Sequence, residues 1–136
     1  MPFSNNATQK ILNLLFNNTP VTPPNQKYAA LFITEPTAAG TGTEVSGGGY
    51  VRVAISAFSS ATIVGGKMTT SNAEAVIFPE ATAAWTTAST KINYYAIYDS
   101  VVGGNLIGYG ALQVAMEVMQ GGQPKFETGD ITVTLE

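Results

Sequence analysis

The sequence predicts a mainly β protein, a single β-sandwich of about eight strands preceded by a short amino-terminal α-helix. Three observations support this fold class. Apolar and polar side chains alternate in several segments of strand length, and glycine or proline turns separate these segments at short intervals. An apolar stripe with helical spacing occurs only near the amino terminus. A jelly roll or a closed up-and-down barrel fits the same spacing, because spacing does not fix how strands connect.

The first predicted element is a short helix that begins after capping side chains at residues 4–6. It ends at residues 17–20, where asparagine favours a left-handed cap and Pro20 cannot continue the helix. Its apolar face carries Thr8, Ile11, Leu12, Leu15 and Phe16. A helix of about three turns is not stable alone in water, so this face must pack on something. Packing on the chain's own β core is favoured, and a neighbouring subunit is the alternative.

The chain divides into an amino-terminal helical arm (1–19), a proline-rich linker (20–27) and a β-sandwich domain (28–136). Three prolines make the linker stiff and extended, which would space the helix from the body. Within the third part, the predicted strands are 28–34, 50–57, 67–70, 73–78, 92–99, 105–112 with a continuation to 118, 125–128 and 131–136. Gly108 and Gly110 share a face, where they would let an aromatic ring from the adjacent strand lie over the backbone.

Residues 37–49 are predicted to form a long, exposed loop, and the glycine-rich stretch 42–55 leads from this loop into a strand. Three successive glycines, 47–49, allow the positive φ angles of a sharp turn. From residue 50 the side chains alternate, which places Tyr50 and Arg52 on the outer face and Val51, Val53 and Ile55 on the inner one. Arg52 is the only arginine in the chain. Glu44 and Arg52 are therefore candidates for an ion pair or a subunit contact.

The composition disfavours nucleic acid as a partner. Charged residues make up 11% of the chain, against roughly 25% in typical soluble domains, and the formal net charge is −3. Binding to phosphates needs clustered lysine and arginine, and here the six basic residues are scattered. A surface built mostly from uncharged polar residues gives weak repulsion between copies, so it tolerates close packing of subunits.

The sequence predicts no catalytic, cofactor or metal site, so the chain is not expected to be an enzyme. Histidine and cysteine are both absent. Asp99 and Asp130 lie at strand ends, where carboxylates usually face solvent or serve turns. The amino terminus lacks the pattern of a signal peptide, and the apolar run at 11–16 is too short to span a bilayer. We therefore expect no membrane partner and synthesis in a cytoplasm.

The strands at 92–99 and 105–112 are predicted to form a hairpin across Gly103 and Gly104, and its aromatic residues offer one alternative, a carbohydrate-stacking surface. Its rings would be Tyr94, Tyr95, Tyr98, Tyr109 and the single tryptophan, Trp85. Tyrosines on adjacent strands are more often core residues or subunit contacts, and a lone tryptophan among small residues more often fills the end of a core.

Nearly the full length resembles a family of short bacteriophage virion proteins commonly labelled phage tail fibre proteins. The most specific shared segment is Gly-Thr-Glu-Val-Ser-Gly-Gly-Gly-Tyr-Val-Arg at 42–52. Further shared segments are Tyr-Ala-Ala-Leu-Phe at 28–32, Ala-Thr-Ala-Ala-Trp at 81–85, Tyr-Ala-Ile-Tyr-Asp at 95–99, Gly-Gly-Asn-Leu-Ile-Gly-Tyr-Gly-Ala-Leu at 103–112 and Gly-Asp-Ile-Thr-Val-Thr-Leu at 129–135. Tyr98 stands where the family tends to have phenylalanine. The resemblance implies no catalytic residues and a location on the virion after synthesis in the host cytoplasm.

A fibre shaft needs heptads or repeated β segments, and the chain has neither, so a compact knob fits better than a shaft. The favoured hypothesis is a capsid decoration or cement protein, a homo-oligomer (trimer favoured) that binds the major capsid protein. The alternative is a tail fibre or tail-tip component, either an adhesin or an adaptor that binds tail proteins, and only there would a host glycan be a partner. Candidate interface residues are Ile11, Leu12, Leu15, Phe16, Glu44, Tyr50 and Arg52.

Overall fold

A computed structural model describes residues 2–135. Within this range the fold is mainly β, with one short helix at the amino terminus followed by nine strands in antiparallel sheets. The elements are α1 (Asn5–Phe16), β1 (Lys27–Phe32), β2 (Val53–Ile55), β3 (Thr62–Val64), β4 (Lys67–Ser71), β5 (Val76–Ile77), β6 (Ile92–Tyr98), β7 (Leu106–Met116), β8 (Lys125–Phe126) and β9 (Thr132–Leu135). The predicted fold class is confirmed.

The strands form one large sheet and two small ones. The large sheet has the order β2-β1-β6-β7, the three-stranded sheet has the order β3-β4-β9, and β5 pairs with β8. In the large sheet, β1 lies between β2 and β6, and its residues 29–32 are buried. The continuous apolar run at 28–34 predicts this central position, because a strand covered on both faces needs apolar side chains on both.

The main core lies between the large sheet and the two small sheets. The largest fully buried apolar side chains are Leu31, Phe78, Ile92 and Ile131, which come from segments far apart in the sequence. A second, smaller cluster covers the opposite face of the large sheet. There Ala30 and Ala96 pair across β1 and β6, and the rings of Phe32 and Tyr98 stack with their centroids 6.2 Å apart. The large sheet is therefore apolar on both faces.

Two details of the hairpin formed by β6 and β7 follow from the sequence. Gly110 is paired with Tyr95, and a Cβ atom at Gly110 would lie 2.7 Å from the tyrosine ring. The prediction that a glycine there admits a neighbouring aromatic ring is confirmed. The predicted continuation beyond residue 112 is also present, because β7 runs to Met116, with a register shift between Ile92 and Tyr94.

The structure corrects three local predictions. The strand expected at 50–57 contains only Val53–Ile55, because only these residues pair with β1. Strand β3 is exposed along its whole length, so it has no buried face and gives no alternating pattern. The loop at 37–49, expected to be exposed, is partly tied down: Val45 is buried, and its N–H donates to the Leu31 carbonyl at 3.0 Å.

Candidate interaction surfaces

The turn at Gly47–Gly49 packs directly on the only tryptophan. All three glycines have positive φ angles, 77°, 59° and 80°. The indole Nε1–H of Trp85 donates to the Gly48 carbonyl at 2.7 Å, and a Cβ atom at Gly48 would lie 2.7 Å from Trp85 Cδ1. Position 48 thus requires glycine for both its backbone angle and its close approach to the ring. Trp85 is buried, as predicted for a residue that fills the end of the core.

Tyr50 points into the protein, so its predicted place on an outer strand face is wrong. Its ring stacks on Phe78 at 6.2 Å and meets Trp85 edge-on at 5.4 Å. The phenol accepts a hydrogen bond from the Leu31 N–H at 3.0 Å and donates one to Glu44 Oε1 at 2.7 Å. Burial raises the pKa of Tyr50, and the Glu44 charge adds to this effect. The reason for the inversion is that residue 50 precedes β2, so the alternation of a strand does not apply to it, and Val51 is exposed instead.

Glu44 and Arg52 form a bidentate ion pair. Arg52 Nε donates to Glu44 Oε1 at 2.9 Å, and Nη2 donates to Oε2 at 2.8 Å. The exposed fraction of the side chain is 8% for Arg52 and 25% for Glu44. Burial by itself lowers the pKa of Arg52, but the hydrogen bonds and charge of Glu44 outweigh it, so the pKa is raised. Of the two alternatives that the sequence offers for these residues, the ion pair is present within the chain.

The remaining donors of Arg52 reach the turn between β6 and β7. Its Nη1 donates to the carbonyls of Ser100 at 2.9 Å and Gly103 at 2.8 Å, and its guanidinium carbon lies 3.7 Å from the centre of the Tyr98 ring. Arg52 therefore joins the 44–52 segment to the hairpin turn within one chain. The predicted contact of Glu44, Tyr50 and Arg52 with another subunit stays a prediction, and the structure gives each of the three side chains internal partners.

Helix α1 is anchored to the large sheet by its amino terminus. The Ser4 hydroxyl accepts a hydrogen bond from the Ala7 N–H at 3.1 Å and donates one to the Leu106 carbonyl. The Ser4 N–H donates to the Ile107 carbonyl at 2.8 Å, and the Asn5 N–H donates to the Ala38 carbonyl at 2.9 Å. These bonds explain why a polar serine is buried at this position. The helix thus starts on its own sheet, along the free edge of β7.

The carboxyl-terminal half of α1 has an uncovered apolar face. No residue of the helix is buried. Phe16 is 75% exposed and Leu15 is 65% exposed, and Leu12, one turn earlier, is also exposed. These three residues are called the free face of α1 below. Ile11, one turn before Leu15, is half-buried. The favoured prediction is that the apolar stripe packs on the chain's own core. The structure shows such packing only at the start of the helix.

A second uncovered apolar surface lies between the large sheet and the three-stranded sheet, and the sequence did not predict it. It is an open groove of about 320 Å³. Its apolar lining consists of Ile55, Ala57, Phe58, Ile97, Ile107 and Val133. An outer row of directly paired, exposed residues continues the surface across three strands. The outer row is Ile63 on β3, Met68 on β4 and Leu135 on β9.

The outer row and the groove belong to one face of the three-stranded sheet. Successive side chains of a strand alternate between faces, so Leu135 shares a face with Val133, and Met68 shares it with Thr70. Val133 and Thr70 line the groove. Ile63 is 71% exposed at the end of this surface. The groove combines residues from six separate segments, which is why no sequence pattern marks it.

The aromatic rings considered for carbohydrate stacking are largely buried. Trp85, Tyr95, Tyr98 and Tyr109 are all buried, and Tyr94 is half-buried. Tyr95 contacts Phe126 edge-on at 5.7 Å inside the core. Buried rings offer no open face on which a sugar could stack.

The two aspartates at strand ends serve turns, as expected. Asp99 Oδ1 accepts a hydrogen bond from the Asn105 N–H at 2.7 Å, and Asp130 Oδ2 accepts one from the Glu127 N–H at 2.8 Å. Slight burial opposes ionisation of Asp99, but the bonds from Asn105 prevail and lower its pKa.

Between residues 2 and 135, the structure has no cluster of three or more acidic residues placed to hold a metal ion. The only helix in that range is too short to cross a membrane.

Comparison with known proteins identifies the family. A family model described as the podophage GP4 fiber I protein gp80 matches residues 2–134. A comparison with curated protein sequences found no match. The family match includes the Gly47–Gly49 turn, the Glu44–Arg52 ion pair and helix α1, and it agrees with the resemblance to phage fibre-type virion proteins. Because it spans almost the whole chain, the chain belongs to the family of the podophage GP4 fiber I protein gp80, a family of phage structural proteins.

Proposed function

We propose that this chain is a non-enzymatic subunit of the virion surface that binds a neighbouring virion protein through the free face of α1. The observation that carries this proposal is the exposure of Leu12, Leu15 and Phe16 on a helix that is fixed at its other end. Apolar side chains of this size each contribute about 1.5–3 kcal/mol when they are fully buried. A soluble monomer gains nothing by displaying three of them together on a short helix.

A place in a fibre is our first candidate for the location. The description of the family as a fibre protein supports it. The chain has no repeats and folds around a main core with a smaller cluster on the other face of the large sheet, so within a fibre it would act as a compact adaptor or terminal module and not as a shaft.

Capsid decoration is our second candidate. The low content of charged residues and the compact β fold support it, because a cement protein must pack closely against neighbours that repel it little. In either location the rest of the proposal is the same: a homo-oligomer, most simply a trimer, held to the particle by apolar contacts. The candidate protein partners are fibre or tail proteins in the first case and the major capsid protein in the second.

A binding experiment with particles tests the proposal. Virions grown without this protein are mixed with purified wild-type chain or with the Leu15→Asp, Phe16→Asp double variant, and bound protein is measured after sedimentation. We expect the wild type to sediment with the particles and the double variant to stay in the supernatant. The control variant Val114→Asp alters a comparably exposed apolar residue outside α1 and should bind like the wild type. Equal binding of all three proteins would refute a role for the free face.

A further inference from the structure

A polar cavity of about 360 Å³ lies where the three sheets meet. Strands β6 and β7 of the large sheet border it, and so do β8 and β9, which belong to the two small sheets. No residue that lines it belongs to α1 or to the groove. Its polar side chains are Tyr95, Gln113, Asp130 and Thr132, and its larger apolar side chains are Leu112 and Phe126.

An irregularity in β7 shapes the cavity. The regular pairing of β6 with β7 is interrupted there, so that residues 112–115 lie opposite the single residue Asn93. In a regular strand two adjacent side chains point to opposite faces, yet Leu112 and Gln113 both border the cavity. Bulges that redirect a side chain in this way are common next to functional sites.

The hydroxyl group of Tyr95 gives the strongest indication that the cavity takes a ligand. Tyr95 is 9% exposed, and a Cβ atom at Gly110 would lie 2.7 Å from its hydroxyl oxygen. Between residues 2 and 135 this hydroxyl has no hydrogen-bond partner, and no side-chain oxygen in that range is both fully buried and unpaired. The hydroxyl group therefore still contacts solvent, on the side where Tyr95 lines the cavity. Burial raises the pKa of Tyr95, so the group stays protonated and can donate at neutral pH.

Three further polar groups at the cavity have unused capacity for hydrogen bonds. Asp130 Oδ2 accepts the Glu127 N–H at 2.8 Å, which fixes the carboxylate, and Oδ1 has no partner in the described part of the chain. Within the same residues, the Gln113 amide and the Thr132 hydroxyl make no hydrogen bond. With Tyr95, the cavity therefore offers one charged acceptor, one amide that donates and accepts, and two hydroxyl groups.

We propose that this cavity binds a neutral saccharide, one or two sugar rings in size. Sugar hydroxyl groups donate and accept at once, which matches this mixed set, whereas a metal ion or an ammonium group would need acceptors alone. Leu112 and Phe126 provide apolar surface for the C–H groups of a ring. The volume lies at the lower end of the range of about 300–1,000 Å³ that is usual for small-ligand sites. Recognition by hydrogen bonds needs no exposed aromatic face, so it agrees with the burial of the tyrosine rings.

The charge of Asp130 favours neutral sugars over acidic ones. Asp130 is the only charged residue among those that line the cavity. Its neighbour Glu127 is already paired with Lys125 at 2.8 Å. An anionic ligand would therefore meet a like charge and no cation of the lining.

The saccharide site goes beyond the proposed function, because it shares no residue with the free face of α1. A chain that is held to the particle by α1 would present this cavity as a separate binding site. The two activities can therefore be tested and lost independently.

Titration of the full-length chain with single sugars, followed by nuclear magnetic resonance, tests the proposal. The isotope-labelled protein is mixed with glucose, galactose, mannose, rhamnose or N-acetylglucosamine, each up to about 50 mM, and with glucuronic acid as the acidic probe. We expect at least one neutral sugar to shift the amide signals of Gln113 and Thr132 with a Kd on the order of 1 mM, the value for about four hydrogen bonds of ordinary net strength. Glucuronic acid should bind about tenfold more weakly than that sugar.

Three variants assign the binding to the cavity. Tyr95→Phe and Gln113→Ala should each weaken binding about fivefold, because each removes one hydrogen bond. Asp130→Asn keeps an oxygen for the Glu127 N–H and should remove the discrimination against glucuronic acid.

Two control variants should bind the sugar like the wild type. Tyr109→Phe alters a tyrosine that is equally buried, at 9% exposed, but packs in the smaller cluster. Gln120→Ala alters an exposed glutamine that does not line the cavity. Absence of a saturable shift with every neutral sugar would overturn the proposal, and so would shifts that are unchanged in Tyr95→Phe and Gln113→Ala.

The particle-sedimentation experiment distinguishes this proposal from the proposed function. Gln113→Ala should sediment with virions like the wild type, and the Leu15→Asp, Phe16→Asp double variant should bind the sugar like the wild type. Loss of sugar binding in a folded double variant would place the site on α1 and would also overturn the proposal.

Discussion

Replacement of Arg52 by alanine tests whether the Glu44–Arg52 pair holds the fold together. The change removes two hydrogen bonds to Glu44, two to the carbonyls of Ser100 and Gly103, and the contact with the Tyr98 ring. Removing one partner of a fully buried ion pair costs about 3–5 kcal/mol, and an exposed pair is worth about 0–1 kcal/mol. Glu44 keeps 25% of its side-chain surface in contact with solvent, so water can partly replace the lost partner. We therefore expect the free energy of unfolding to fall by about 3 kcal/mol.

Urea unfolding followed by the fluorescence of Trp85, the only tryptophan, measures this change. With an m-value of about 2 kcal/mol/M, the midpoint should move down by about 1.5 M. Two protein concentrations separate folding from association, because only association depends on concentration. Lys125→Ala is the matched control, since Lys125 pairs with Glu127 at 2.8 Å on the open surface, where solvent screens the pair, and its loss should leave the midpoint almost unchanged. An Arg52→Ala midpoint equal to that of Lys125→Ala would show that the reasoning is wrong.

Two further predictions concern the same region. Gly48→Ala should destabilise the fold by about 2–3 kcal/mol, because the residue has φ +59° and a Cβ atom would lie 2.6 Å from the Ala83 carbonyl oxygen and 2.7 Å from Trp85 Cδ1. In the same unfolding assay Gly65→Ala, with a similar φ of +57° and nothing within 4 Å, should cost only about 1 kcal/mol, and equal losses would show that the close contacts of position 48 with Ala83 and Trp85 play no role. For pH, the raised pKa of Tyr50 means that the folded state holds the phenol proton more tightly than the unfolded state does. The stability that the raised pKa of Tyr50 contributes is complete below the unfolded pKa of about 10 and is lost as the pH rises above that value. Tyr50→Phe should therefore show a shallower loss of stability between about pH 10 and 11.5 than the wild type, and identical slopes would contradict the prediction.

The sequence predicts the architecture well where a segment has a clear buried face. The apolar run at 28–34 corresponds to central strand β1, and the hairpin of β6 and β7 lies where the alternation and the glycine turn indicate. Strand β3 was missed because it is exposed on both faces, so its residues carry no burial pattern. The periodicity of apolar residues predicts a strand or helix only when that element packs one of its faces on the core.

The candidate surfaces were predicted less completely, for two physical reasons. The Tyr50 side chain points into the protein because its hydroxyl group is hydrogen-bonded to Leu31 and Glu44. The periodicity of the sequence carries no information about such partners. The groove is built from residues as far apart as Ile55 and Val133, so it exists only after the sheets have packed. By contrast, the Glu44–Arg52 pair could be predicted, because the only arginine lies eight residues from an acid across a tight glycine turn.

The central claim is that the free face of α1 is covered by protein on the particle. A cryo-electron microscopy reconstruction of the intact virion, with this fold fitted to its density, tests it most directly. The account predicts several copies in contact at fixed positions on the particle, with Leu12, Leu15 and Phe16 of each copy buried against a protein neighbour. Well-ordered copies whose α1 faces open solvent on every side would contradict it.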